Sequence, residues 1–255
     1  MPTITLFNVV GELVKENLIQ KINENGRKFN MSACENKYSK NEIIISYFFE
    51  ENIEEKIKNI LEEQGDEVIS IIKQNGKNKI LRKLVAFLDT ELKILEVYRG
   101  PDKVTEDFVD KLSSITGVKL VPVKFTAEEL ESIYKTYSYE LKQAMFKNVD
   151  GMFYNIFRGN FLESNKRFLF YLQNNKQSLR VISIRPSIKF LKGGRYQVTI
   201  NGDKGTIKFS LASEQKWRPR FEIRQIVGMC MKVKRGLNES LLRHQHTLQF
   251  DQKTN

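Results

Sequence analysis

Apolar positions along this chain recur with two periods, and the changes of period mark out its elements. Alternation through Thr3-Ile4-Thr5-Leu6-Phe7-Asn8-Val9-Val10 predicts a strand, and after Gly11 the residues Leu13, Val14, Leu18, Ile19 and Ile22 fall at helical spacing. Residues 42–49, with three consecutive isoleucines and three aromatics, predict a central strand. A helix is expected from about Asn52, with Ile53, Ile57, Ile60 and Leu61 on one face and charged residues opposite, and a further strand over 67–72. The polar run 74–79 is a connection. Beyond it, 84–88 and 94–98 read as strands joined by the hairpin turn Asp89-Thr90-Glu91. Pro101 suits the first turn of a helix that buries Val104, Phe108, Leu112 and Ile115, Gly117 ends it, and 118–125 returns as a strand.

The order strand, helix, strand thus occurs at 42–73 and again at 84–125, which suggests a ββαβ duplication carried by element order and not by residue identity. Thr126-Ala127-Glu128-Glu129 has the spacing of a capping box, and Leu130, Ile133, Tyr134, Tyr137, Leu141 and Met145 extend an apolar stripe. Together they predict one long helix over 126–147, with a boundary at Asp150-Gly151. The expected fold class is α+β: an N-terminal mixed α/β sheet domain at 1–147, then a basic, mainly antiparallel β region at 148–255.

In that second region, Tyr196, Val198 and Ile200 alternate with Arg195, Gln197 and Thr199, and Asn201-Gly202 favours a tight hairpin. Its return strand puts Ile207, Phe209 and Leu211 inward and Lys208 and Ser210 outward, so the basic faces of the two strands coincide for a loop of either two or four residues. A two-residue loop would set Arg195 opposite Lys208. Extending the strand reading to 220–224 and 229–235 leaves Arg220, Arg224, Lys232 and Lys234 outward, so that several strands share one basic face.

Charge supports that reading. Residues 1–125 carry 19 − 20 = −1 and residues 126–255 carry 23 − 11 = +12, matching the +11 of the chain. Such asymmetry points to a polyanionic partner, DNA or RNA first. The candidate contacts are Arg158, Lys166, Arg167, Lys192, Arg195, Lys208, Lys216, Trp217, Arg218, Arg220, Arg224, Lys232, Lys234 and Arg235. Trp217 would stack on an unpaired base among these cations. The first half would scaffold this surface, dimerise or dock a protein.

Chemistry-bearing motifs are sparse. His244 and His246 would share one face of a strand but have no nearby Cys, Asp or Glu at ligand spacing. Asp89, Glu91 and Lys93 have the types of a metal-dependent nuclease trio, yet sit in a hairpin turn. Phosphate-binding glycine loops, a nucleophile elbow and paired-cysteine zinc spacings do not occur. No cofactor is implied. Cys34 and Cys230 read as isolated thiols. No apolar run reaches the ~18 residues of a membrane span and the start lacks a signal-peptide pattern, so the expected location is cytoplasmic, nucleoid or nuclear, without secretion. Non-enzymatic nucleic-acid binding is the leading expectation; a nucleic-acid-processing enzyme such as a metal-dependent nuclease, or an adaptor for an acidic protein, are the alternatives.

Overall fold

The computed structural model describes residues 3–52, 54–61, 65–74, 79–98, 100, 102–149, 151–188, 197–210 and 219–251; side chains at 55, 56, 59 and 237–251 lie outside it. The protein is α+β, with antiparallel strands. It separates into two compact units: unit 1 comprises residues 1–6 and 122–255, unit 2 residues 7–121. The strand β1 (Thr3–Val10) contributes its first residues to unit 1 and the remainder to unit 2.

Unit 2 contains α1 (Lys15–Asn25), β2 (Met31–Glu35), β3 (Glu42–Asn52), α2 (Glu54–Leu61), α3 (Gly65–Gln74), β4 (Lys79–Asp89), β5 (Ile94–Tyr98), α4 (Asp102–Thr116) and most of β6 (Lys119–Pro122). Its strands run in the order β2-β3-β4-β5-β1. Alternation along β3 and β4 sends Ile43, Ile45, Tyr47, Leu84, Ala86 and Leu88 to one face, where Leu18 and Ile22 of α1 and Phe108 and Leu112 of α4 close the core. Gly117 ends α4 at φ +77°, the left-handed geometry expected of it.

Unit 1 contains α5 (Ala127–Tyr137), β7 (Ser138–Val149), β8 (Met152–Arg158), α6 (Lys166–Asn175), β9 (Leu179–Pro186), β10 (Val198–Asn201), β11 (Thr206–Phe209) and α7 (Arg220–Asp251). Its strand order is β8-β7-β9-β10-β11-β1. The row Ile4, Ile207, Ile200, Ile182, Ala144 runs from β1 to β7 in register, and all five are fully buried. Leu130 and Ile133 of α5 and Ile223, Ile226 and Val227 of α7 are buried in the same unit, with α5 packing on β9 and on α7.

Several sequence expectations are corrected. Residues 67–72 lie in α3, not a strand: Val68 and Ile71 stay exposed while Ile69 is buried, a helical pattern that a short β-branched run conceals. The strand–helix–strand repeat at 42–73 therefore fails. What recurs is longer: a helix, a hairpin (β2-β3, then β7-β8), a helical crossing, and further antiparallel strands ending in a helix, once in each unit. The 126–147 helix stops at Tyr137: from Ser138 the chain pairs with β9, and that pairing overrides the helix preference of Glu140, Leu141, Lys142, Gln143 and Ala144. The units divide at 6/7 and 121/122, not after 147. Residues 220–224 and 229–235 belong to α7, so the region 148–255 is mixed rather than mainly β.

The capping box at Thr126 is present: Glu129 N donates to Thr126 Oγ1 (3.2 Å) and Thr126 N to Glu129 Oε2 (2.8 Å). Glu129 is buried, and the ammonium of Lys234 on α7 meets its carboxylate at 3.1 Å and the Lys124 carbonyl at 2.7 Å. A loop that precedes α5 is thereby tied to a helix about a hundred residues later.

Candidate functional site

The side of the unit 1 sheet opposite the isoleucine row is polar. Register places Thr3, Lys208, Thr199, Ser183, Gln143 and Arg158 side by side on six successive strands. Beside this row run Thr5, Thr206, Asn201, Val181, Met145 and Ile156, and Tyr154 stands opposite Lys147. The strands are about 4.8 Å apart, so Lys208 and Arg158, four strands from one another, bracket roughly 19 Å of hydroxyls and amides.

Hydrogen bonds knit the middle of the row. The Ser183 and Thr199 hydroxyls hydrogen-bond to one another at 2.5 Å, Gln197 Nε2 donates to Ser183 Oγ at 3.0 Å, and Arg158 Nε donates to Gln143 Oε1 at 3.0 Å. Among the described residues Lys208 has no partner and is exposed. Arg185 and Lys142 both meet the buried Glu140, at 2.9 and 2.8 Å. Burial alone would raise the Glu140 pKa, but Lys142 and Arg185, with the Phe161 N–H, hold it below the usual carboxylate range.

The hairpin between β10 and β11 has a four-residue loop, so Lys208 faces Thr199 rather than Arg195. That loop is tightly seated. Gly202 N donates to the Arg180 carbonyl (2.8 Å), Phe125 N to Gly202 O (3.0 Å), Leu6 N to Gly205 O (3.0 Å) and Val123 N to Leu6 O (2.9 Å). At its tip Asp203 pairs with Arg180 at 3.3 Å and Lys147 at 3.5 Å, so two cations are already neutralised there.

Of the residues expected to form the basic surface, Arg158 and Lys208 do share one sheet face. Lys166 and Arg167 are exposed in the first turn of α6, where the helix dipole disfavours cations, while Asn165 caps the Phe168 N–H at 3.0 Å. Arg220, Arg224, Lys232, Lys234 and Arg235 lie on α7 and add nothing to a sheet face: Arg220 and Arg224 are half-buried, Lys232 and Arg235 are exposed, and Lys234 is spent on Glu129. Lys192, Arg195, Lys216, Trp217 and Arg218 fall outside the described residues. The sequence reading missed Thr3, Gln143, Ser183 and Tyr154. Ser183 and Arg185 alternate with Ile182 and Ile184, a period-two signal present in residues 179–186.

The other chemical candidates resolve into structure. Asp89 Oδ1 accepts from the N–H groups of Glu91 (3.1 Å) and Leu92 (2.9 Å), Glu91 accepts from Asn41 at 2.6 Å, and Lys93 has φ +49°, so the supposed nuclease trio builds a turn. His244 and His246 lie on α7, where positions two apart do not share a face. Among the described residues no group of three His, Cys, Asp or Glu is arranged for a metal. Cys34 is exposed and Cys230 buried, each a free thiol; burial pushes the Cys230 thiol up to about 12.

Unit 2 has a cleft of about 450 Å³ lined by Lys28, Phe29, Tyr47, Phe49, Asp107 and Lys111, among others. Its polar groups are closed on one another: Tyr47 donates to Asp107 at 2.5 Å, and Lys111 donates to Asp107 at 2.7 Å and to Tyr47 at 3.0 Å. Burial and the Asp107 carboxylate raise the Tyr47 pKa. Burial works against both members of the ion pair, yet the mutual contacts leave Asp107 lowered and Lys111 raised.

Comparison with protein-family models and with curated proteins returns no match for this chain.

Proposed function

We propose that unit 1 binds nucleic acid across the polar face of its sheet, with Lys208 and Arg158 meeting phosphates and the half-buried Thr3, Thr199 and Gln143 completing the contact over the buried Ser183. The observation that carries this reading is that the polar face belongs to the unit that holds the chain's positive excess. Unit 1 holds 24 basic and 11 acidic residues, +13, and unit 2 holds 18 and 20, −2, so the structural division concentrates the excess more sharply than a cut at mid-chain. Hydroxyl and amide side chains commonly hydrogen-bond phosphate and sugar oxygens and fix the register of a bound strand. Tyr154, more than half exposed on the same face, supplies a ring for stacking on an unpaired base.

The test is binding of labelled single-stranded and duplex oligonucleotides over a salt series. Affinity should fall as salt rises, and replacing Lys208 or Arg158 by glutamine should each reduce the slope of log K against log salt by about 1. Absence of binding at low salt, or slopes untouched by both changes, overturns the proposal. Lys232→Gln, on the exposed side of α7, serves as the control that leaves the sheet face intact.

A further inference from the structure

The two units treat corresponding hairpins differently. In unit 2 the second strand of the hairpin, β3, continues the sheet to β4 and leaves β2 at the margin; in unit 1 the first strand, β7, pairs with β9 and leaves β8 outermost. Among the described residues β8 pairs with β7 alone, and none of them pairs with the backbone donors and acceptors of its other edge.

The margins also differ in chemistry. The β2 edge is five residues long and ends at Glu35, paired to Lys15 at 3.3 Å. The β8 edge is seven residues, Met-Phe-Tyr-Asn-Ile-Phe-Arg, with no acidic residue and one base at its end. Soluble proteins blunt such edges with charges, proline or a bulge, or they pair them. Here Phe153 is 81% exposed, Tyr154 58%, Met152 45% and Ile156 44%.

We infer that β8 pairs antiparallel with β8 of a second copy of this chain, on a twofold axis through Asn155. The sequence is self-complementary in that register. Phe153 meets Phe157, Tyr154 meets Ile156 and Met152 meets Arg158, so no like charges oppose one another. At about 200 Å² for each large side chain, the four exposures amount to roughly 450 Å² per copy and ~900 Å² for the pair. The strand backbones and Arg158 add to this and bring the total to about the 1,000 Å² of a specific interface. Pairing of this kind joins the two polar faces edge to edge, with Tyr154 and Arg158 of each copy beside the axis.

The experiment needs no nucleic acid, so its outcome is separable from that of the binding proposal. Sedimentation equilibrium of the full chain over a concentration series should show mass rising from 29.9 kDa toward twice that value. The double variant Tyr154→Glu/Ile156→Glu, which sets carboxylates against one another across the axis, should weaken the dimer at least tenfold while keeping its circular dichroism. In a Cys34→Ser background, Asn155→Cys should form a covalent dimer with a thiol oxidant and Met152→Cys should not, since only position 155 meets itself. A monomer throughout the series, or a dimer indifferent to the double variant and uncrosslinked at 155, overturns the inference.

Discussion

Gly205 offers the sharpest test of how unit 1 is assembled. Its φ is +58°, and a Cβ built there would lie 1.9 Å from the Val123 carbonyl oxygen, far inside contact distance. The left-handed conformation alone costs an alanine about 1 kcal/mol. Relieving the clash requires the backbone at Gly205 or Val123 to move, and these segments carry the Leu6 N to Gly205 O and Val123 N to Leu6 O hydrogen bonds, at 3.0 and 2.9 Å. Losing them adds about 1 kcal/mol each and more where a group is left buried and unpaired. Gly205→Ala should therefore destabilise by roughly 3–5 kcal/mol, lowering Tm by about 6–20 °C at 2–4 °C per kcal/mol. Gly151→Ala is the matched control: φ there is +74°, but nothing lies within 4 Å of the added carbon, so only the conformational cost of about 1 kcal/mol applies. Thermal and urea melts of both variants decide the matter. Equal, mild losses for the two would refute the claim that the loop is seated against Val123.

Three more expectations follow from the same contacts. Lys234→Met strands the buried Glu129 carboxylate and should cost about 3 kcal/mol in urea melts, with Glu129→Gln added in the same chain recovering part of it; full additivity of the two changes would argue against the pair. Glu140 is more acidic folded than unfolded, so its contribution is present above the ordinary carboxylate pKa of about 4.3 and is lost as pH falls through the lower folded value. The acid limb of a stability–pH curve should therefore be shallower in Glu140→Gln, and an unchanged limb would remove Glu140 from the account. In unit 2, Tyr47→Phe deletes the hydroxyl between Asp107 and Lys111 and should cost on the order of 1 kcal/mol without altering oligonucleotide affinity, checked by melts and by the binding assay.

The sequence made the regular elements legible where a pattern was long or carried a specific cap. Strand β1, the β4-β5 hairpin, α4 with Gly117, the Thr126 capping box and the in-phase alternation of β10 and β11 stand as expected. Failure came where one stretch satisfied both periods. Leu130, Ile133, Tyr134 and Tyr137 are helical, but Leu141 and Met145 prolong the same spacing into β7, and only pairing with β9 decides the change. Alternating Phe221/Ile223 and Met229/Met231/Val233 looked like strands, whereas burial of both Glu222 and Ile223, then Ile226 and Val227, marks a helix. For the candidate site, local alternation gave Lys208 and Thr199 a common face; the partnership of Thr3, Ser183, Gln143 and Arg158 depends on long-range register, which no local pattern encodes.

The division of β1 between the units bears on how the chain can be built and dissected. During synthesis unit 2 has all its residues once position 121 has emerged, whereas Thr3, Ile4 and Thr5 must wait for Lys208, Ile207 and Thr206, some two hundred residues later. Closure of unit 1 is thus a late, non-local event, the slowest kind of contact to form. A fragment beginning at residue 122 would expose the β11 edge and lack Ile4 and Leu6 from its core. A peptide of the first six residues, supplied in trans, is the missing strand for that fragment.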